Sequence, residues 1–194
     1  MVKEAILKSN KIPRFKEAGF ALENFHIQNQ VIASEWQGQV EAVSDNTQEN
    51  SPNCICLNLE DLKCFEIVER QYESWGVTFH NCLAIQPSNP AFPTHSGLTV
   101  LMGSPQSELL EVTFLSPVNS VSALVTSSQR LILSAYDRDR KLLAQTVLPG
   151  ANLANTDSAI TPNALLSVAA NDIHSVTFSA FNGLFTLDNF RFCA

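Results

Sequence analysis

A chain of 194 residues, 45% hydrophobic and 16% charged, carries enough apolar side chains for one packed core, and its length suits one domain better than two very small ones. The formal net charge of −7, with no block of basic residues, argues against nucleic acid as a partner, because phosphate contacts need clustered Lys and Arg. No run approaches the roughly 20 apolar residues of a membrane helix, so no membrane span is expected.

The first stretch, MVKEAILKSNKIPRFKEAG, lacks the continuous apolar core of a secretory signal. Val2 to Lys8 suit a short helical turn that Pro13 limits, and Phe20 to Ala33 fit either helix or strand. Ser44 to Asn53 holds no apolar residue and collects turn formers. Residues 1–53 therefore read as an N-terminal extension, either partly ordered or packed on the domain formed by residues 54–194.

From Cys54 onward short strands alternate with turn signals. CICLNLEDL is the first strand candidate, with Ile55, Leu57 and Leu59 on one face, and GVTFHNCLAI (76–85) is the second. After the proline-rich stretch Pro87 to Pro93 come strand candidates at 97–102, 108–115, 119–127, 130–137 and 141–148. Asp137 to Arg140, reading DRDR, suits a solvated hairpin tip. A polar loop leads to ALLSVAA (164–170), and the chain closes on Asp172 to Phe192. With Asn182-Gly183 as a two-residue turn signal, this last stretch predicts a hairpin. No long amphipathic helix interrupts the pattern. The fold class is an all-β antiparallel sandwich of jelly-roll type. Its expected core includes Phe79, Val100, Phe114, Val125, Leu133, Val176, Phe178, Leu187 and Phe190, each inside an apolar run.

The closing strand also holds an anomaly: a carboxylate, Asp188, and an amide, Asn189, in a heavily apolar run. Asp188 lies among Phe185, Leu187 and Phe190, where an unpaired carboxylate is costly to desolvate. Water, backbone N–H groups, a distant Arg or a cation must compensate it.

Five cysteines (Cys54, Cys56, Cys64, Cys82, Cys193) are an odd number outside any framework spacing. The expectation is five reduced thiols in a cytoplasmic protein, with an extracellular setting as the alternative. Cys54 and Cys56 share a strand face about 7 Å apart. They read as small buried hydrophobes rather than zinc ligands, since the usual knuckle spacing is absent.

The order LNLEDL, QYESWGVTFHN, SGLTVLM, VTFLSPVNSVSALV, LILSAYDRDRKLL, IHSVTFSAF, FTLDNFRF resembles the jelly-roll, galactose-binding-like domains common in bacterial proteins, many of them carbohydrate-binding modules. The resemblance covers about Cys54 to Phe192. It implies one structural calcium, with ligands near the first and last strands, which puts Glu60, Asp61 and Asp188 forward as metal ligands. It also implies a carbohydrate ligand, a flat ring on an exposed loop being suited to an apolar sugar face.

For such stacking the sequence offers Trp36, Tyr72 and Tyr136, while Trp75, directly before GVTF, is expected to plug the core. The four histidines and the hydroxyls show no nucleophile signature: there is no G-x-S-x-G, no H-E-x-x-H and no P-loop. The functional expectation is a non-catalytic binding module for carbohydrate or another polar ligand, not an enzyme. The rival reading is an intracellular structural or protein-interaction domain without a sugar site, and a hydrolase comes third.

Overall fold

The structure, a computed structural model, describes residues 53–103 and 109–194. The expectations for the N-terminal extension, Trp36 among them, lie outside the described residues. Ten strands are present among the described residues: β1 Cys54–Cys56, β2 Ile67–Val68, β3 Val77–His80, β4 Cys82–Ile85, β5 Val100–Gly103, β6 Leu109–Ser127, β7 Leu131–Tyr136, β8 Leu142–Leu148, β9 Ala164–Ser179 and β10 Phe185–Cys193. Their pairings are antiparallel. The all-β sandwich expected from the sequence is the fold observed.

Its frame is a long ribbon of β6 and β9, paired from Leu109↔Ser179 to Val125↔Ala164. Pro117 has no N–H to give a ladder, and the register slips on both sides of Val118. Asp172 on β9, at the same level, has a left-handed φ of 66°. Irregularity at one level on both strands lets the ribbon bend and contribute to two layers. One half of β6 lies between β3 and β9, the other between β10 and β9. In sequence each of these long strands looks like two, because the bend carries polar residues and a proline, which resemble turns.

The terminal hairpin is not formed. β9 pairs with β6 and β7, whereas β10 pairs with β1, β5 and β6. Asn182, at φ 51°, helps an arch cross from one layer to the other. That arch is pinned where Ser128 N–H donates to Leu184 O (2.9 Å) and Leu184 N–H to the Ser128 hydroxyl (2.9 Å). GVTFHNCLAI is likewise two strands, broken at Asn81 with φ 55°. CICLNLEDL leaves the sheet after Cys56, although Leu57, Leu59 and Leu62 are buried. The DRDR tip between β7 and β8 does form, with Asp137 Oδ1 accepting from the N–H groups of Asp139 and Lys141, both at 2.9 Å.

Alternation along each strand sends one set of side chains between the layers. All nine expected core residues are buried. The two layers meet through rings: Phe79 of β3 and Phe178 of β9 lie edge-on to Phe190 of β10, with centroids 5.6 and 6.4 Å apart, and Phe114 of β6 faces Phe192 at 5.3 Å. Such pairs add about 0.5–1.5 kcal/mol each beyond their burial.

Loops cover the outer side of the β10 layer. Asn152, fully buried, accepts from Ser127 N–H and donates to Val125 O and Thr161 O, tying the 149–163 loop to β6. Ala154 N–H donates to Ala91 O, and Asn163 Nδ2 to Pro93 O, so this loop in turn holds the proline-rich one. That support fixes the residues just after Pro93, which build the candidate site.

Candidate functional site

The site forms where β10 bulges. The register slips between Asp188 and Arg191, and Asn189 takes a left-handed φ of 49°. The bulge faces the end of β1, the 58–61 turn and the 95–97 loop. Together Cys56, Asn58, Glu60, Ser96, Gly97, Asp188 and Asn189, with Leu57 and Leu59, line a cleft of about 130 Å³.

Asp188 explains why the 95–97 loop sits there. Its side chain is 2% exposed. Oδ2 accepts from the N–H groups of His95 (2.7 Å) and Ser96 (3.0 Å), and Oδ1 from the Ser96 hydroxyl (2.7 Å) and Asn189 N–H (2.7 Å). A carboxylate offers about four lone-pair positions, and four donors occupy them. The compensation is backbone N–H and hydroxyl, one of the alternatives the sequence left open.

Glu60 plays a parallel part from the other wall. Asn58 Oδ1 accepts from Glu60 N–H (3.2 Å), and Asn58 Nδ2 donates to Asp61 Oδ2 (3.0 Å), which shapes the turn. Glu60 Oε1 then accepts from the N–H groups of Leu98 and Thr99, both at 3.0 Å. Gly97, at φ 67°, makes this approach possible: a Cβ there would stand 2.2 Å from Glu60 Oε1. Glu60 itself is exposed, and Oε2 carries no hydrogen bond among the described residues. Asn189 Oδ1 accepts from the Cys56 thiol at 2.8 Å.

Of the expected metal set, Glu60 and Asp188 line one cleft and Asp61 does not. Glu60 and Asp188 each bind the 95–99 loop, and Asp61 is an exposed partner of Asn58. Among the described residues no group of three or more His, Cys, Asp or Glu is placed to hold a metal ion. With its four donors Asp188 has no lone pair left to offer a cation, so these residues do not fit the implied calcium.

Two of the aromatics, Tyr72 and Trp75, differ from their expected burial. Tyr72, expected as an exposed stacking ring, is buried: it packs edge-on against Phe79, and its hydroxyl donates to Asn58 O at 2.7 Å. Burial, with lesser help from the charge of Asp61, pushes that hydroxyl's pKa up. Tyr136 is half-buried on the outer face of β7, with the Arg140 guanidinium 5.4 Å above its ring and Arg140 paired to Glu111. Trp75, expected in the core, is instead 58% exposed. It ends a one-turn 3₁₀ helix, Glu73–Trp75, closed by Gly76 at φ 83°. Its N–H donates to Tyr72 O at 2.9 Å, so the buried Tyr72 joins the Trp75 turn to the Asn58 wall of the cleft. Sequence reading missed Asn58, Ser96 and Gly97 as cleft residues, whereas Asn189 stood out beside Asp188 in the anomaly of the closing strand. The signals for the missed three were slight: an N-x-E-D turn and an S-G pair.

The expected set of free thiols is corrected as well. Cys54 and Cys193, opposite each other on β1 and β10, form a disulfide. Cys56 and Cys64 are free and exposed, and Cys82 is free and buried.

No family model and no curated protein sequence matches this chain. Among solved structures, a DUF4465 family protein from Bacteroides caccae is similar at a TM-score of 0.44 and 9% identity, over 72% of this chain and 98% of that one. The carbohydrate-binding module TmCBM61, solved with β-1,4-galactotriose, is similar at 0.35 and 11%, over 63% and 94%. The enzymatically active domain of bacteriophage CBA120 tailspike protein 4 is similar at 0.35 and 12% identity, over 65% of this chain and 20% of that one.

Proposed function

We propose that this protein is a non-catalytic binding module for a carbohydrate, held at the cleft between β1, the 58–61 turn and the 95–97 loop. The observation that carries the reading is a set of polar groups fixed by second partners around a shallow opening. Asn58 and Asn189 are oriented by Asp61 and Cys56, and Glu60 is held by Leu98 and Thr99 N–H with one oxygen left over. Amides and a carboxylate in fixed positions match hydroxyls that both donate and accept. Size limits the contact. A cleft of 130 Å³ equals the liquid volume of about four waters, below the ~300–1,000 Å³ that encloses a drug-sized ligand. It accommodates one edge of a sugar, with the Trp75 ring as an outlying stacking surface.

Binding rather than hydrolysis is favoured by the use already made of the second carboxylate. A glycosidase needs two carboxyl groups free to act on the bond. Asp188 lines the cleft beside Glu60, but its oxygens are taken by four donors. The same proposal sets the protein in an oxidising compartment, supported by the Cys54–Cys193 disulfide.

A glycan array followed by calorimetry on the bound glycan tests this. Glu60→Gln and Asn189→Ala are each expected to weaken binding about tenfold or more, in line with ~1.4 kcal/mol per decade. No glycan bound, or variants that bind like the parent, overturns the proposal. The protein-interaction reading draws on Phe65 and Ile67, 75% and 65% exposed beside Cys64. It predicts that Phe65→Ser with Ile67→Ser abolishes partner binding and leaves glycan binding intact.

A further inference from the structure

We propose that Cys54, Cys56 and Cys193 form an internal thiol–disulfide exchange site. The strand register brings them together. Cys54 pairs with Cys193 and Cys56 with Arg191, while Ile55 and Phe192, between them, belong to the other face. Phe192 is buried against Phe114 and Phe190, so its face is the inner one. The two half-cystines, the free thiol and the Arg191 guanidinium therefore share the outer face, where Cys54, Cys56 and Arg191 are exposed to solvent. Cys56 is reduced, and its S–H is held by Asn189 Oδ1 at 2.8 Å.

Residues two apart on a strand are separated by about 7 Å, a span that backbone bending and side-chain rotation must shorten for attack. β1 is suited to bend: it is three residues long, and β10 is its one strand partner among the described residues. The step is an exchange. The Cys56 thiolate attacks Cys54 Sγ, a Cys54–Cys56 bond forms, and the Cys54–Cys193 bond breaks. The electron pair leaves with Cys193 Sγ, which takes up the proton that Cys56 lost. One disulfide and one thiol are present before and after, so neither oxidant nor reductant is consumed. Exchange unlatches β1 from the C-terminal strand and removes the Cys56 thiol from Asn189, at the wall of the cleft. The proposal does not depend on what the cleft binds.

The test uses the full chain, incubated without reductant across a pH series, alkylated in acid-quenched aliquots, and mapped by mass spectrometry without reduction. Trypsin releases residues 192–194 as a tripeptide carrying Cys193. The expected result is alkylated Cys193 that accumulates faster as pH rises, since the thiolate is the attacking form, together with a looped Cys54–Cys56 peptide. Cys64→Ser should retain this signal and Cys56→Ser should lose it by about tenfold or more. Cys193 that stays linked in the parent protein at every pH overturns the proposal. So does equal alkylation in Cys56→Ser, which would assign the opening to something other than Cys56.

Discussion

Ser96 and Asp188 are joined twice: the Ser96 N–H donates to one carboxylate oxygen at 3.0 Å and its hydroxyl to the other at 2.7 Å. The pair fastens the 95–97 loop to the β10 bulge, and the carboxylate is buried beneath it. In Asp188→Asn an amide N–H₂ faces donors in place of an accepting oxygen. A buried donor left without an acceptor costs about 1–3 kcal/mol, so the melting temperature should fall by several degrees. Ser96→Ala should cost less, and the two losses should not add, because each removes the same contact. Additive losses in a double-mutant cycle would show that the two residues act separately. Excess calcium against EGTA should leave the melting temperature of the parent protein unchanged.

Gly97 is the counterpart on the Glu60 side. A methyl group there must displace the Glu60 carboxylate and also hold φ at 67°, a region costly for residues with a Cβ. Gly97→Ala should cost about 1–3 kcal/mol in chemical denaturation. The same substitution at Gly76 meets nothing within 4 Å and should show the φ penalty alone. Equal losses at the two glycines would remove the carboxylate contact from the account.

Thiol titration separates the cysteines. Cys56 and Cys64 are exposed, while burial pushes the Cys82 thiol's pKa upward and keeps it from reagent. Two thiols should react in the native protein, three after denaturation without reductant, and five after reduction. The disulfide spans 139 positions. Its loss in Cys193→Ser should cost about 2–5 kcal/mol. Five thiols in the unreduced, denatured protein would contradict the Cys54–Cys193 bond.

Much of the fold is legible because apolar alternation is a local signal. Phe178, Leu187 and Phe190 announce buried strands wherever those strands pair. Pairing itself is not local, and Asn182-Gly183 shows the difference: the dipeptide marks a turn, but whether it closes a hairpin or crosses between layers depends on β6 lying between β9 and β10. Asp188 was legible as an anomaly for the same reason, since an ionisable group among phenylalanines needs a partner. Its partners, His95 and Ser96, lie 93 and 92 positions away and could not be inferred. Trp75 misled because an indole beside a strand usually packs inward, whereas here Tyr72 is the buried ring of this turn and Trp75 stays exposed.

Thr99 offers a test in the opposite direction. It is 1% exposed, and its hydroxyl has no hydrogen-bond partner among the described residues. A buried hydroxyl without a partner carries a desolvation penalty that an isosteric methyl does not. Thr99→Val keeps the shape and the backbone N–H that binds Glu60, so it should raise stability by about 1 kcal/mol in urea unfolding. A loss of similar size would mean that the hydroxyl is satisfied in solution.

Trp75 separates stability from recognition. Its ring is exposed while its backbone N–H is held by Tyr72 O and the turn is closed by Gly76 N–H on Glu73 O, so removing the ring breaks no backbone hydrogen bond. Surface substitutions of this kind usually change stability by no more than about 0.5 kcal/mol. Trp75→Ala should therefore melt like the parent protein. Stacking on an aromatic face contributes about 0.5–1.5 kcal/mol, so glycan affinity should fall severalfold, by less than for Glu60→Gln. Calorimetry on both variants with one glycan decides the order. An affinity unchanged by Trp75→Ala confines recognition to the cleft, and a large loss of stability would mean that the indole packs inward after all.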